Sequence, residues 1–146
     1  MVERSTLRKN VFIDVYGLLN TISDPLTRNK QWIFSSNPQF DAITFVGFPI
    51  LVVNRAQVRK RFSRVQDDNP DNYVTITINV MAKDSKMLDE LSDSVDDVVN
   101  PTNLNNYRFV DYSESNNDIL INAETVHIRS MSYLLDVMKY VDTSDD

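Results

Sequence analysis

The side chains in this chain that could carry acid–base, nucleophilic or metal chemistry are one histidine and several groups of carboxylates. His127 is the single histidine and cysteine is absent, so imidazole catalysis depends on His127 and thiol chemistry is excluded. No serine or acid stands at a recognisable motif spacing from His127, which alternates with strand residues. We therefore interpret it as a surface or packed residue of a strand. The two glycines, Gly17 and Gly47, are too few for a glycine-rich phosphate loop.

Carboxylates are numerous enough for a metal-dependent nuclease to be considered, since such a site needs two or three of them around Mg²⁺. The acids at positions 67, 68 and 71 fall in a turn-rich segment, where aspartate is favoured for local backbone bonding. A second group shares one face of a predicted helix, which we place opposite the apolar face and therefore in solvent: Asp89, Asp93, Asp96 and Asp97. The sequence therefore predicts no catalytic residue, no metal site and no cofactor.

The distribution of charge is more informative than any single residue. A basic strip at residues 55–64 contains five cations: Arg55, Arg59, Lys60, Arg61 and Arg64. The predicted acidic helix, residues 84–97, carries six carboxylates against one lysine. The basic strip could contact nucleic acid, although Phe62 is its single ring for base stacking and the net charge of −6 argues against a protein that coats nucleic acid. It could equally meet the acidic helix of a neighbouring copy and fix the register of a head-to-tail ring, or be solvated charge.

The acidic helix belongs to a predicted strand and helix at residues 73–99, and the basic strip precedes them in the chain. From Tyr73 to Val80 apolar and polar residues alternate, which predicts a strand with one buried face. From Leu88 to Val99 the apolar residues recur at helical spacing, with Asp84 or Ser85 as the predicted N-cap. The proline at position 101 ends this helix. One sheet with an amphipathic helix packed on its apolar face follows from this pattern.

An amphipathic helix is also predicted at the N-terminus, from about Ser5 to Ile22, with Ser5 or Thr6 as its cap. Gly17 costs such a helix about 1 kcal/mol relative to alanine, which suggests a close packing contact there. A loop with one short ordered piece follows over residues 23–42. Its Trp32 anchors a satellite core or, alternatively, contacts a partner, because tryptophan is enriched at interface hot spots.

The middle and end of the chain supply the remaining strands. Residues 43–53 predict two short strands or one strand broken by a bulge, and residues 54–72 predict an exposed charged arm or long hairpin. Four further elements are predicted towards the C-terminus: a short strand at 107–112, a polar turn at 114–118, a short strand at 119–121 and a strand from about 125 to 140. The last of these is predicted as a strand at least as far as 135, and its end, LLDVMKY, could instead be helical. Residues 142–146 predict a frayed acidic tail.

Together these elements predict a single α+β domain over residues 1–146, with a mostly antiparallel sheet, an N-terminal helix and a second amphipathic helix packed on one face. The length of 146 residues suits one domain. No apolar run reaches the roughly 20 residues of a membrane helix, and the polar N-terminus does not predict a signal peptide. We therefore expect no membrane partner, and synthesis in the cytoplasm.

Several segments, in this order, resemble a known family. The chain carries LRKNVFIDVYGLL in its first helix, GFPILVV around a Phe-Pro pair, and YVTITINVMAKDSKMLDELSDSVDDVVN with an Ala-Lys-Asp turn between strand and helix. A late strand adds His127-Ile128-Arg129-Ser130. This combination resembles the tail-completion and tail-terminator family of long-tailed bacteriophages and tailed archaeal viruses. The resemblance covers most of the chain, while residues 23–42 and 100–120 have no counterpart.

The resemblance implies a structural virion protein, not an enzyme. Members assemble as rings, commonly hexamers, that terminate the tail tube and join it to the head. The implied partners are further copies of the chain, the tail tube protein and head connector or adaptor proteins. Genomic DNA passes through such a ring, so any contact with it would be non-specific. The implied location is the tail or neck of the virion, after assembly in the host cytoplasm. An alternative is a small nucleic-acid-associated or regulatory protein that uses the basic strip.

Overall fold

A six-stranded sheet carries two helices on one of its faces in the computed structural model. The structure describes residues 4–61 and 71–136, with side chains from 8 to 58 and from 73 to 136. The elements in chain order are α1 (Arg4–Leu19), β1 (Ile33–Phe34), β2 (Ile50–Val53), β3 (Gln57–Arg61), β4 (Asp71–Ala82), α2 (Ser85–Val98), β5 (Arg108–Ile121) and β6 (Glu124–Asp136). The strand order is β1-β2-β4-β6-β5, with β3 also paired to β4. The β1–β2 pair is parallel and the other pairs are antiparallel, which confirms the predicted α+β class.

The predicted strand and helix at residues 73–99 are confirmed as β4 and α2. Every second residue of β4 is fully buried against the helices, from Val74 to Val80. The N-cap of α2 is Asp84, whose carboxylate accepts a hydrogen bond from the backbone N–H of Lys86 at 3.2 Å. The helix ends at Val98, before the proline that was expected to stop it.

Helix α1 confirms the N-terminal prediction and corrects two details. Val11, Val15 and Leu19 are fully buried at a spacing of four residues, which places one stripe of the helix on the sheet. The helix begins at Arg4, so the predicted caps lie within its first turn. The predicted close contact at Gly17 is wrong, because a side chain added there would meet no atom within 4 Å.

The second face of the sheet has a smaller core, which the sequence did not predict. Ile50, Val52, Met81 and Val126 are buried there. Four phenylalanines pack over them from β1 and the loop before β2: Phe34, Phe40, Phe45 and Phe48. The prediction of a strand at residues 43–49 is therefore wrong, and β2 is the one strand of that run. Residues 43–49 form a loop, which bends at Gly47 with a φ of +84°. Phe45, Val46 and Phe48 of this loop are partly buried, whereas Ile43 is fully exposed.

Trp32 belongs to the main core. Its side chain is 7% exposed, and it packs with residues of both helices and the sheet. The two alternatives considered for it, a satellite core and a contact with a partner, are therefore both wrong. The short ordered piece expected near it is β1.

The C-terminal half contains two long strands where four elements were predicted. β5 runs without interruption from Arg108 to Ile121, so the predicted polar turn at residues 114–118 is wrong. A bulge between Phe109 and Asp111 is its one irregularity. β5 is an edge strand, and its residues 110–118 are exposed. Because neither face of this part is buried, apolar and polar residues do not alternate along it. The late strand predicted from about 125 to 140 is confirmed as β6 as far as Asp136, and residues 137–140 lie outside the described residues.

The predicted arm at residues 54–72 is described in part. β3 pairs antiparallel with the first half of β4, with Gln57 opposite Thr75 and Arg61 opposite Asp71. The end of the arm at residues 62–70 and the predicted acidic tail at 142–146 lie outside the described residues.

Candidate assembly surfaces

An arginine on β6 connects helix α2 to the edge strand. The Arg129 guanidinium lies 2.9 Å from Asp89 Oδ1, and its Nη1 donates to Ser92 Oγ at 3.2 Å, both on α2. On the other side, Nε donates to Asn116 Oδ1 at 2.9 Å and lies 3.5 Å from a Glu114 carboxylate oxygen, both on β5. The Arg129 side chain is 19% exposed, so these contacts are partly shielded from solvent. This cation therefore stabilises the packing of α2 against the two C-terminal strands.

Tyr133, which lies four residues after Arg129 on β6, makes a second contact with α2. The Tyr133 hydroxyl donates a hydrogen bond to Asp96 Oδ1 at 2.7 Å, and its ring lies 4.9 Å from the ring of Tyr112 on β5. Burial, followed by the hydrogen bond to Asp96, raises the pKa of Tyr133 well above its usual value of 10.0. Burial and the nearby Asp96 and Glu114 carboxylates raise the pKa of Tyr112 to about 12. Both hydroxyls are therefore neutral at physiological pH.

Replacing Tyr133 with phenylalanine should lower the free energy of unfolding by about 1–2 kcal/mol, because the hydrogen bond to a carboxylate is lost while the ring remains. Since the folded-state pKa of Tyr133 is raised, the stabilisation is fully present below pH 10.0 and declines as the pH rises above it. Urea unfolding at neutral and alkaline pH measures both effects. Tyr73→Phe is the control, because the Tyr73 hydroxyl has no hydrogen bond within the described part of the chain. An equal loss in the two variants would contradict the assigned role of the Asp96 contact.

The four acids predicted to share a solvent-facing side of α2 divide into two pairs. All four are exposed, as predicted. Asp89 and Asp96 lie beside the buried face of the helix, where they also contact Arg129 and Tyr133. The physical reason is that successive helical residues are separated by about 100°. Asp89 and Asp96 therefore flank the stripe that contains the buried Ser92, rather than opposing it.

The five cations of the basic strip are described to different extents. Arg55 is exposed and makes no ion pair within the described residues. Arg59, Lys60 and Arg61 belong to β3, where their backbones pair with β4. Arg64 lies outside the described residues. Within one chain, therefore, the structure places no described cation of this strip against α2, and contact between the two in neighbouring copies stays a prediction.

His127 lies on β6, where it was predicted to be a strand residue. Its Nδ1 is 2.8 Å from Asp118 Oδ1 on β5, and its side chain is 30% exposed. In residues 4–61 and 71–136, no three histidine or acidic side chains are grouped closely enough to hold a metal ion. None of the helices described has the length and apolar character needed to cross a bilayer.

Sequence reasoning missed one surface, the free edge of β5. β6 is the one described strand that pairs with β5, so the outer edge of β5 has no backbone partner among the described strands. This strand was divided by a predicted turn because its middle, Ser113 to Asp118, is polar. The absence of glycine and proline from Arg108 to Ile121 is the signal that could have identified a continuous strand.

Comparisons with known proteins give a similar fold and no family. No protein-family model matches the sequence, and no curated protein matches it. Among solved structures, a chain from the virion of a native gene transfer agent particle is similar, with a TM-score of 0.51 and 11% sequence identity. The match covers 84% of this chain and 91% of that chain. The likeness therefore extends over most of the chain and concerns its fold.

Proposed function

We propose that this protein is a structural subunit of a phage-like virion that works by assembly. In this role it forms a ring, as a hexamer, at the head-proximal end of the tail. The ring terminates the tail tube and joins it to the head connector. The observation that carries the proposal is the fold shared with a chain of a gene transfer agent virion, over nearly the full length of both chains.

The sequence resemblance supports the same role independently. Its strongest segment, residues 73–100, forms β4, its following turn and α2, which together make the centre of the fold. The N-terminal segment forms α1, and the His127-Ile128-Arg129-Ser130 segment lies in β6. The matching segments therefore belong to one packed scaffold, as expected for a family defined by its shape and not by a catalytic site.

The partners follow from this role. Each copy contacts further copies of itself within the ring, the tail tube protein on one side of the ring, and connector or adaptor proteins on the other. DNA that passes through the ring is contacted without sequence readout, mainly through its phosphates. The net charge of −6 favours this passage over tight binding.

Light scattering of the purified full chain, over a range of protein and salt concentrations, tests the proposal. We expect a species of six times the 16.9 kDa chain mass, and rings in negative-stain electron micrographs. A salt-dependent mass would indicate that charged contacts hold the ring. A monomer that also fails to bind isolated tail tubes would contradict the proposed role.

A further inference from the structure

The outer edge of β5 is a long surface of backbone that no described strand pairs. The strand spans 14 residues, and the nine residues from Val110 to Asp118 are exposed. Soluble proteins usually protect such an edge by a short strand, a proline or a covering segment, because it can pair with another chain. β5 is long and has no proline, and no described segment covers it. An edge of this kind is suited to accept a strand from a partner.

The charge of β5 selects the partner strand. It carries Asp111, Glu114 and Asp118 against one cation, Arg108. Like charges placed opposite each other in neighbouring strands are unfavourable, and opposite charges are favourable. Two β5 edges from two copies would therefore repel each other in a symmetric pair. A basic strand is the complementary partner.

Among the described strands, one is basic and has an edge that no other described strand pairs. β3 has the sequence QVRKR, with three cations and no acid, and among the described strands it pairs with β4 alone. The third exposed edge, at β1, is two residues long, and its Ile33 carbonyl already accepts hydrogen bonds from Tyr16 and Gln31. β3 is therefore the edge that matches β5 in both charge and availability.

We propose that β5 of one copy pairs with β3 of the next copy, so that the sheet continues from subunit to subunit. This inference rests on the self-assembly stated under the proposed function and identifies the surfaces that carry it. The contact is head-to-tail, because it joins two different edges, and such a contact forms a ring when its rotation closes. The basic strand β3 of each copy then meets the acidic edge strand β5 of its neighbour.

This arrangement differs from the pairing of the basic strip with helix α2. Asp89 and Asp96 of α2 already contact Arg129 and Tyr133 in the same chain. Two acids, Asp93 and Asp97, remain on that helix without a described contact. On β5, Glu114 and Asp118 likewise contact Arg129 and His127 of the same chain. What distinguishes β5 is its outer backbone edge, which no described strand pairs. Pairing at a strand edge would also add backbone hydrogen bonds to the contact. The surface of a helix cannot provide these, because its backbone groups are bonded within the helix.

Cysteine cross-linking distinguishes these arrangements, because the natural chain contains no cysteine. Gln57→Cys is combined in turn with Ser113→Cys, Ser115→Cys or Asn117→Cys, which lie on the same face of the sheet. Within one chain, β3 and β5 are three strand spacings apart, roughly 14 Å. This exceeds the about 7 Å limit between the Cα atoms of a disulfide. The matched control for α2 is Gln57→Cys combined with Asp93→Cys.

We expect a non-reducing gel to show a ladder of covalent oligomers for at least one β3–β5 combination, and none for the Asp93 control. A ladder in the control alone would overturn the proposal in favour of α2. Dimers from a single β5 cysteine, as abundant as the products of the double variant, would overturn it in favour of symmetric β5 pairing. The absence of cross-links in protein that scatters as a ring would overturn the edge pairing and leave the ring intact. A wild-type chain that is monomeric throughout and also fails to bind isolated tail tubes would overturn both proposals.

Discussion

Replacing Arg28 with alanine should lower the free energy of unfolding by about 3–5 kcal/mol, because it leaves the buried Asp24 carboxylate without its cation. The Arg28 and Asp24 side chains are 14% and 8% exposed, and two nitrogens of the guanidinium donate to the two carboxylate oxygens at 2.9 and 3.0 Å. The same guanidinium donates to the carbonyl oxygens of Gly47 at 2.9 Å and Pro49 at 2.6 Å. Arg28 therefore connects the loop after α1 to the segment that leads into β2.

The control for this prediction is Arg108→Ala, which removes an exposed ion pair. Arg108 donates to Asp136 at the same 2.9 Å, but its side chain is 59% exposed. Solvent screening limits such a pair to about 1 kcal/mol or less. Urea unfolding of both variants at neutral pH measures the difference. Equal losses of unfolding free energy in the two variants would show that burial adds nothing to the stabilisation by the Arg28–Asp24 pair.

The pH dependence of the Arg28 effect follows from the pKa of Asp24. Burial by itself would raise this pKa, but the hydrogen bond from Arg28 and two backbone N–H groups hold it below the usual value of 3.8. Because the folded-state pKa is lowered, the carboxylate stabilises the fold fully above pH 3.8. This contribution is lost as the pH falls through the folded-state pKa. The advantage of the wild type over Arg28→Ala should therefore narrow in acid.

Leu91→Ala should cost about 2–5 kcal/mol, the usual range for removing a buried leucine side chain from a core. Leu91 is 2% exposed on the face of α2 that packs on the sheet, in the same core as Ile76 of β4, which is fully buried. The lost side chain leaves a cavity between helix and sheet, and the surrounding residues can fill it only in part. Urea unfolding, followed by circular dichroism, gives the size of the loss.

The matched control for Leu91→Ala is Leu120→Ala on β5, where the leucine side chain is 75% exposed. A substitution at such a surface position should change the free energy of unfolding by no more than about 0.5 kcal/mol. An unfolding curve for Leu91→Ala that matches the control would refute the placement of α2 on the sheet.

Periodicity predicted the elements that bury one face and expose the other. β4 and α2 were located from sequence because their apolar residues recur at periods of 2 and 3.6 residues, and the structure buries those residues. β5 was divided incorrectly because an edge strand exposed on both faces has no apolar period to detect. The loop at residues 43–49 was assigned to a strand because its phenylalanines are apolar. Their burial comes from covering the second face of the sheet, which depends on tertiary structure.

The candidate surfaces were predictable in charge but not in geometry. The sequence located the basic strip and the acidic helix, since these need only a count of residues. It could not show that Arg129 and Tyr133 would contact Asp89 and Asp96, because Tyr133 and Asp96 are 37 residues apart in the chain and Arg129 and Asp89 are further apart. The free edge of β5 depends on the strand order, which no local pattern encodes.

The two-residue turn between β5 and β6 determines which residues of these strands face each other. Asn122 and Ala123 have φ values of 52° and 66°, the left-handed conformation of a tight hairpin turn. The polar middle of β5 buries little, so burial alone would not prevent it from sliding along β6, and a slip of one residue would turn each side chain to the opposite face. Substitutions in the middle of β5 should therefore leave its register on β6 unchanged, whereas a one-residue insertion in the turn would separate Tyr112 from Tyr133.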